Sequence, residues 1–85
     1  MRKSIFRKIK YLNLESFSFG NCTIQTFPKV NNRVNVKTDK QRVYFFNNDI
    51  CLLTFELNNV ETIFRNKKVI IIRFKDNYSL YLYLN

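Results

Sequence analysis

Residues 43–84 read VYFFNNDICLLTFELNNVETIFRNKKVIIIRFKDNYSLYLYL, and this stretch decides the fold. Short clusters of Asn, Asp and Lys interrupt runs of Val, Ile, Phe, Tyr and Leu, the residues that fit a pleated sheet. Asn and Asp tolerate the left-handed backbone that tight hairpins need. The pattern therefore predicts five consecutive antiparallel strands, joined by turns at residues 47–49, 58–59, 66–68 and 75–77.

The alternation of side chains supports this register, because successive residues of a strand point to opposite faces. With these turns, one face is almost entirely apolar and collects Val43, Phe45, Cys51, Leu53, Phe55, Leu57, Val60, Thr62, Phe64, Ile70, Ile72, Phe74, Tyr78, Leu80, Leu82 and Leu84. A slip of one residue in any turn would break the agreement. The alternation favours a meander with this face in the core.

The opposite face is unusually apolar for a sheet surface that meets water. Its apolar band consists of Tyr44, Phe46, Ile50, Leu52, Ile63, Val69, Ile71, Tyr81 and Tyr83, and its charged residues are Glu56, Glu61, Arg65, Arg73 and Lys75. Glu61 is expected opposite Arg73 as a cross-strand ion pair. Such a band is covered by the rest of the chain, by a second copy or by a partner. The residues predicted at a partner interface are Tyr44, Leu52, Ile63 and Ile71.

The N-terminal residues 2–12, RKSIFRKIKYL, predict a short amphipathic helix. Ile5, Ile9 and Leu12 recur at helical spacing, with cations over most of the remaining surface. A helix this short needs a surface on which to dock. It could cap the second face or one end of the sheet, act as a basic arm on nucleic acid, or anchor the chain on anionic lipid. Docking with the basic side outward is favoured, and a membrane role is least favoured, because the apolar stripe is narrow and lacks Trp.

After this helix, the apolar residues alternate with polar ones, but their parity changes partway along the segment. Leu12 and Leu14 share one parity, whereas Phe17 and Phe19 share the other. A strand that keeps its apolar side chains on one face must therefore bend or gain a residue between them. We predict a bend at residues 15–16.

The next segment contains turn and strand signals in sequence. Residues 20–21, Gly-Asn, predict a turn. Residues 22–27 predict a strand that Pro28 ends, and because proline cannot donate to a central ladder, this strand is expected at an edge or a bulge. Residues 31–32, Asn-Asn, predict a hairpin into the alternating strand at residues 33–38.

These elements predict one domain of the mainly β (α+β) class over residues 1–85. The basic N-terminal helix takes residues 1–14, and the antiparallel sheet takes residues 17–85. The expected architecture is a meander of six or seven strands that forms a small barrel or a curved sheet. A chain of 85 residues is near the lower limit for a single unaided core.

The composition limits the partners and the chemistry. The net charge of +9 favours polyanions such as nucleic acid or acidic protein surfaces. The chain has no alanine and is rich in Asn, Lys, Ile, Phe and Tyr, a bias typical of AT-rich genomes such as those of low-GC bacteria and their phages. This coding bias also raises the lysine content, so the charge has two explanations.

Catalysis is not expected. The chain lacks histidine, which removes the commonest general base and most zinc sites, and a single glycine cannot form a phosphate-binding loop. No cofactor or metal is predicted. Cys22 and Cys51 are expected as reduced core residues, which favours an intracellular, cytoplasmic chain. The apolar runs are too short for a membrane span, and the N-terminus lacks a signal-peptide core.

The remaining signal is basic charge interleaved with aromatic residues. Small β-modules bind single-stranded nucleic acid by stacking bases on sheet aromatics while cations contact the phosphates. The predicted nucleic-acid-binding residues are Arg2, Lys3, Arg7, Lys8, Lys10, Arg65, Lys67, Lys68, Arg73, Lys75, Tyr81 and Tyr83. The alternative for the tyrosines is packing beneath the N-terminal helix.

Nucleic acid, or a nucleoprotein, is therefore the first predicted partner of a non-enzymatic binding protein. The second hypothesis is a protein-interaction module of a phage or mobile element that inhibits a host factor such as a CRISPR effector. A homodimer that buries the apolar band of the second face is the third.

Overall fold

The computed structural model describes residues 5–28 and 32–85, and most of them belong to one antiparallel sheet. Helix α1 (Ile5–Lys8) precedes the strands β1 (Tyr11–Phe19), β2 (Cys22–Thr26), β3 (Arg33–Thr38), β4 (Arg42–Asn47), β5 (Ile50–Glu56), β6 (Val60–Arg65), β7 (Val69–Phe74) and β8 (Ser79–Leu84), with a 3-10 helix, η1 (Leu57–Asn59), before β6. The mainly β architecture is confirmed, with eight strands in the described residues rather than six or seven.

The strand order is β5-β4-β3-β1-β8-β7-β6, so two three-stranded meanders flank β1. The predicted continuous meander is therefore wrong at residues 58–59, where β5 and β6 do not form a hairpin. The reason lies in η1: the N–H of Leu57 donates to the carbonyl of Gln41 at 2.8 Å, whereas the carbonyl of Asn59 accepts from the N–H of Lys75 at 2.8 Å. The two ends of η1 are tied to different meanders, and the sheet is not closed into a barrel.

Strand β1 belongs to both halves of the sheet. Its residues Tyr11 to Asn13 pair with β3, and its residues from Leu14 onward pair with β8. The register of the pairing with β8 shifts between Leu14 and Ser16, which leaves Glu15 as an extra residue. This irregularity confirms the predicted bend at residues 15–16, and it places Leu14 and Phe17 in the same core despite their different parities.

Strands β2 and β3 follow each other along one edge of β1. β2 and β8 both pair with residues 16–19, so they lie on opposite sides of β1. β3 lies on the same side of β1 as β2, because β1 separates β3 from β8 in the strand order. The hairpin predicted at residues 31–32 is therefore wrong, because β2 and β3 pair with β1 and not with each other; Asn31 itself lies outside the described residues. The edge position predicted for the strand before Pro28 is confirmed.

A bulge in β6 reverses the faces predicted for that strand. Val60 lies opposite Phe74, but Thr62 rather than Glu61 lies opposite Arg73. The extra residue brings Ile63 into the core, at 6% exposure, and turns Phe64 outward, at 55%. The prediction that Phe64 is a core residue is wrong, and Ile63, which was predicted on the second face at a partner interface, lies in the core instead. Glu61 nevertheless reaches Arg73, with 3.9 Å between its Oε2 and the arginine Nε.

The turn between β4 and β5 is shorter than predicted, and a bulge compensates for it. The turn consists of residues 48–49, and Asn48 has the left-handed φ of 55°. Because Phe45 lies opposite Leu53 and Phe46 opposite Cys51, Leu52 is the extra residue. The bulge keeps Phe55 in the core as predicted, but Cys51 is exposed. Cys22 is also exposed, so the prediction of two core cysteines is wrong.

The N-terminal helix is shorter than predicted and docks on the core. It ends at Lys8, and β1 begins at Tyr11, so residues 11–14 are strand and not helix. Phe6 is buried against Phe55, with 5.3 Å between the ring centroids. Docking with the basic side outward is confirmed, since Arg7 and Lys8 are exposed. No helix in the described ranges is long and apolar enough to cross a membrane.

The rings of Phe6, Phe45 and Phe74 all meet the ring of Phe55. The three centroid distances are 5.3, 5.9 and 5.3 Å, and each pair is edge-to-face. Since Phe45 and Phe74 come from different meanders, Phe55 joins the helix and both halves of the sheet in one core.

Candidate nucleic-acid interface

The predicted nucleic-acid-binding residues divide between two parts of the molecule. Arg7, Lys8 and Lys10 are exposed beside β3, where the carbonyl of Lys10 accepts from the N–H of Val36 at 2.9 Å. The strand order places β1 and β8 between β3 and β7. The remaining predicted cations, which are Arg65, Lys67, Lys68, Arg73 and Lys75, are exposed on β6, β7 and their turns. Arg2 and Lys3 lie outside the described residues.

Tyr81 and Tyr83 form a stacked pair on the outer surface of β8. Their ring planes differ by 11° and their centroids are 6.2 Å apart. Tyr83 is 40% exposed and Tyr81 is half-buried. They lie opposite Val69 and Ile71 of β7, which gives the tyrosines an apolar border. The alternative of packing beneath α1 is wrong, because α1 docks on the core through Phe6.

The turn between β6 and β7 presents two lysines next to this pair. The side-chain oxygen of Asn66 accepts from the backbone N–H of Lys68 at 2.7 Å and of Val69 at 2.9 Å, which fixes the turn. The N–H of Leu84 donates to the carbonyl of Lys68 at 2.8 Å, so Lys68 lies beside the residue that follows Tyr83. Within the described ranges neither Lys67 nor Lys68 forms an ion pair.

We define the β7–β8 face as Lys67, Lys68, Arg73, Tyr81 and Tyr83. Arg73 lies opposite Ser79, at the far end of β7 from Lys68. At about 3.4 Å per residue, the backbones of Lys68 and Arg73 are about 17 Å apart. The face therefore has cations at both ends and stacked tyrosines between them.

A second aromatic and basic surface escaped the sequence analysis. We define the β3–β4 face as Tyr11, Arg33, Lys37, Tyr44 and Phe46. The Arg33 guanidinium lies 4.1 Å from the centre of the Tyr11 ring, and the Lys37 ammonium lies 5.0 Å from that of Phe46. The sequence analysis assigns Tyr11 to the N-terminal helix, and for that reason it misses the contact between Tyr11 and Arg33.

The β3–β4 face is largely occupied by contacts within the chain. Its two cations lie over its own rings, and the hydroxyl of Tyr44 donates to Asp39 at 2.9 Å. Because these side chains already have partners within the chain, the β3–β4 face is expected to bind phosphates and bases less tightly. Of the residues predicted at a partner interface, Tyr44, Leu52 and Ile71 are half-buried and only Ile63 is in the core.

Asp39 organises the turn between β3 and β4. Its carboxylate accepts from the backbone N–H groups of Gln41 and Arg42, both at 2.8 Å, as well as from Tyr44. These backbone hydrogen bonds, and then the one from Tyr44, lower the pKa of Asp39 below 3.8, while the bond to Asp39 raises the pKa of Tyr44 above 10.0.

This arrangement predicts how acid affects stability. Because the pKa of Asp39 is lower in the folded chain than in the unfolded chain, its contribution is complete above the unfolded value near 3.8 and is lost as the pH falls through the folded value. Asp39→Asn should therefore lower the melting temperature at pH 6 and have a smaller effect below pH 3. Thermal unfolding at both pH values tests this, and an effect that is equal at the two values would contradict it.

Residues 5–28 and 32–85 contain no group of three or more His, Cys, Asp or Glu side chains that could hold a metal ion. No family model, no curated protein and no solved structure matches this chain.

Proposed function

We propose that this chain is a small, non-enzymatic protein that binds single-stranded nucleic acid through the β7–β8 face. The observation that supports the proposal is the stacked pair of Tyr81 and Tyr83 beside the exposed lysines of the Asn66 turn. Tyrosine rings offer a stacking surface to any base, and such a stack contributes about 1–3 kcal/mol per base.

In the proposed mode, phosphates contact Lys67 and Lys68 at one end of the face and Arg73 at the other. Bases lie against the two tyrosines between them. Arg73 is available because its ion pair with Glu61 is long, at 3.9 Å, and exposed. The net charge of +9 attracts the polyanion to the surface before these contacts form.

Salt dependence tests the electrostatic part of the proposal. Three phosphate contacts on a single strand predict a slope of about −2 in log K against log salt, or about a 20-fold loss of affinity between 50 and 200 mM. Fluorescence anisotropy with a labelled oligothymidine measures this slope. Affinity that does not change with salt, or no binding at 50 mM, would overturn the proposal.

Matched variants test the location of the site. Replacing Tyr81 and Tyr83 together by Ala should weaken single-strand binding by about 30-fold or more, because two stacks are lost. The control is Tyr11→Ala on the β3–β4 face, which removes an exposed ring of the same type. If the control weakens binding as much as the double variant, the site is not the β7–β8 face.

A protein-binding role is the second candidate, and the open edges of the sheet favour it. β5 and β6 each pair on one side only, and they expose Ile50 at 67% and Phe64 at 55%. An unpaired edge with apolar side chains can accept a strand from a partner or from a second copy. Co-purification of a protein that survives nuclease treatment would favour this role over the first.

A further inference from the structure

An aromatic cleft of about 500 Å³ lies between residues from both meanders and the end of β1. Its lining comes from β1, β4, β5, η1, β7 and the β7–β8 turn. Phe55 and Phe74 contribute to its floor, and the exposed rings of Phe19 and Tyr78 contribute to its mouth. A cleft of this volume is large enough for a small organic ligand.

The charges of the cleft differ from those of the rest of the chain. Arg42 lies in the lining but is held by Glu56, at 3.1 Å, and by the hydroxyl of Thr54, at 3.2 Å. Asp76 adds a second carboxylate, so the lining has a net charge of −1 in a chain of +9. These carboxylates repel a phosphate. An uncharged, flat ring with amino groups can stack on the aromatic side chains of the cleft and donate hydrogen bonds to the carboxylates.

The β7–β8 face leads towards this cleft. Arg73, at the end of that face, is followed by Phe74, and the turn after it brings Asp76 and Tyr78 to the lining. The N–H of Lys75 donates to the carbonyl of Asn59, a lining residue, which places an exposed cation at the rim. A nucleic-acid strand that passes Tyr83, Tyr81 and Arg73 therefore reaches the Lys75 ammonium and then the cleft.

We infer that the cleft binds the terminal nucleobase of the bound strand, stacked on Tyr78, while Lys75 contacts the preceding phosphate. The inference rests on the proposed single-strand binding. It adds to the β7–β8 face a specific binding site for the end of the nucleic-acid strand. Asn59 and the two carboxylates can accept hydrogen bonds from the base, so bases with exocyclic amino groups are preferred over thymine.

Oligonucleotides that lack one base test the inference. An adenine-ended 12-mer is compared with the same strand carrying an abasic nucleotide at the 5′ end, at the 3′ end or in the middle. In the wild-type protein, loss of the base at one end should weaken binding about ten-fold. In Tyr78→Ala the same loss should have no effect, whereas Tyr78→Phe, which keeps the ring, should behave as the wild type. Tyr78 is 66% exposed, so its removal leaves the core intact.

The outcomes separate this inference from the proposed function. If all the strands bind equally well but depend on salt and on Tyr81 and Tyr83, the cleft is not a base site and single-strand binding stands. If no strand binds, adenosine is titrated alone to millimolar concentration while the amide signals of Phe19 and Tyr78 are followed by NMR. Shifts confined to the cleft would support the base site without the proposed function, and their absence would overturn it.

Discussion

Phe55→Ala should lower the free energy of unfolding by about 3–5 kcal/mol, as is usual for removal of a buried phenylalanine. The Phe55 ring meets those of Phe6, Phe45 and Phe74, so its loss leaves a cavity where the helix and both meanders converge. A domain of this size has a total stability of about 5–15 kcal/mol, and the variant is therefore expected to be marginal at 37 °C.

Urea unfolding followed by circular dichroism measures this loss. The matched control is Phe64→Ala, which removes the same side chain from an exposed position on β6. The control should change the unfolding free energy by about 0.5 kcal/mol or less. Equal losses in the two variants would mean that the rings do not meet at Phe55.

Ile63→Asp should prevent folding or cost about 4 kcal/mol or more, because it places a carboxylate in the core without a partner. Phe64→Asp, one residue later, should be almost neutral. The bulge at Glu61 produces this difference, since it turns Ile63 inward and Phe64 outward.

The same pair of variants distinguishes the two registers of β6. Uninterrupted alternation from Val60 would place Phe64 in the core and Ile63 outside. Circular dichroism and the urea midpoints of the two variants show which of the two registers β6 has. Greater damage from Phe64→Asp would show that β6 has no bulge.

Most strands could be predicted from the sequence, but the bulges in β5 and β6 could not. The alternation in β7 and β8 is unbroken, so Ile70, Ile72, Leu80 and Leu82 lie in the core as predicted. In β6 both Ile63 and Phe64 are apolar, and the local pattern suits either face. The bulge at Glu61 lies two residues after η1, whose hydrogen bonds to Gln41 and Lys75 depend on the tertiary structure.

The N-terminal segment shows a similar ambiguity. Ile5, Ile9 and Leu12 fit the period of a helix, while Leu12 and Leu14 fit that of a strand. Pairing of Leu12 with Val34 supplies backbone hydrogen bonds that a short, highly charged helix cannot match. Tertiary pairing therefore overrides the local helical pattern from Tyr11 onward.

Only part of the candidate site was visible in the sequence. Tyr81 and Tyr83 could be assigned to one face because they are two residues apart in a regular strand. The cleft could not be predicted, since Phe19, Arg42 and Tyr78 are distant in sequence and only the tertiary structure brings them together.

The position of β1 affects how this chain can be made. Leu14 lies opposite Leu84, so the residues that cover this side of β1 are synthesised about 70 residues after it. At about 5–20 residues per second, the nascent chain spends several seconds with one side of that strand uncovered. Contacts between such distant segments also slow folding in general. A ribosome that pauses before β8 is synthesised would therefore leave this side of β1 uncovered for longer and open to aggregation.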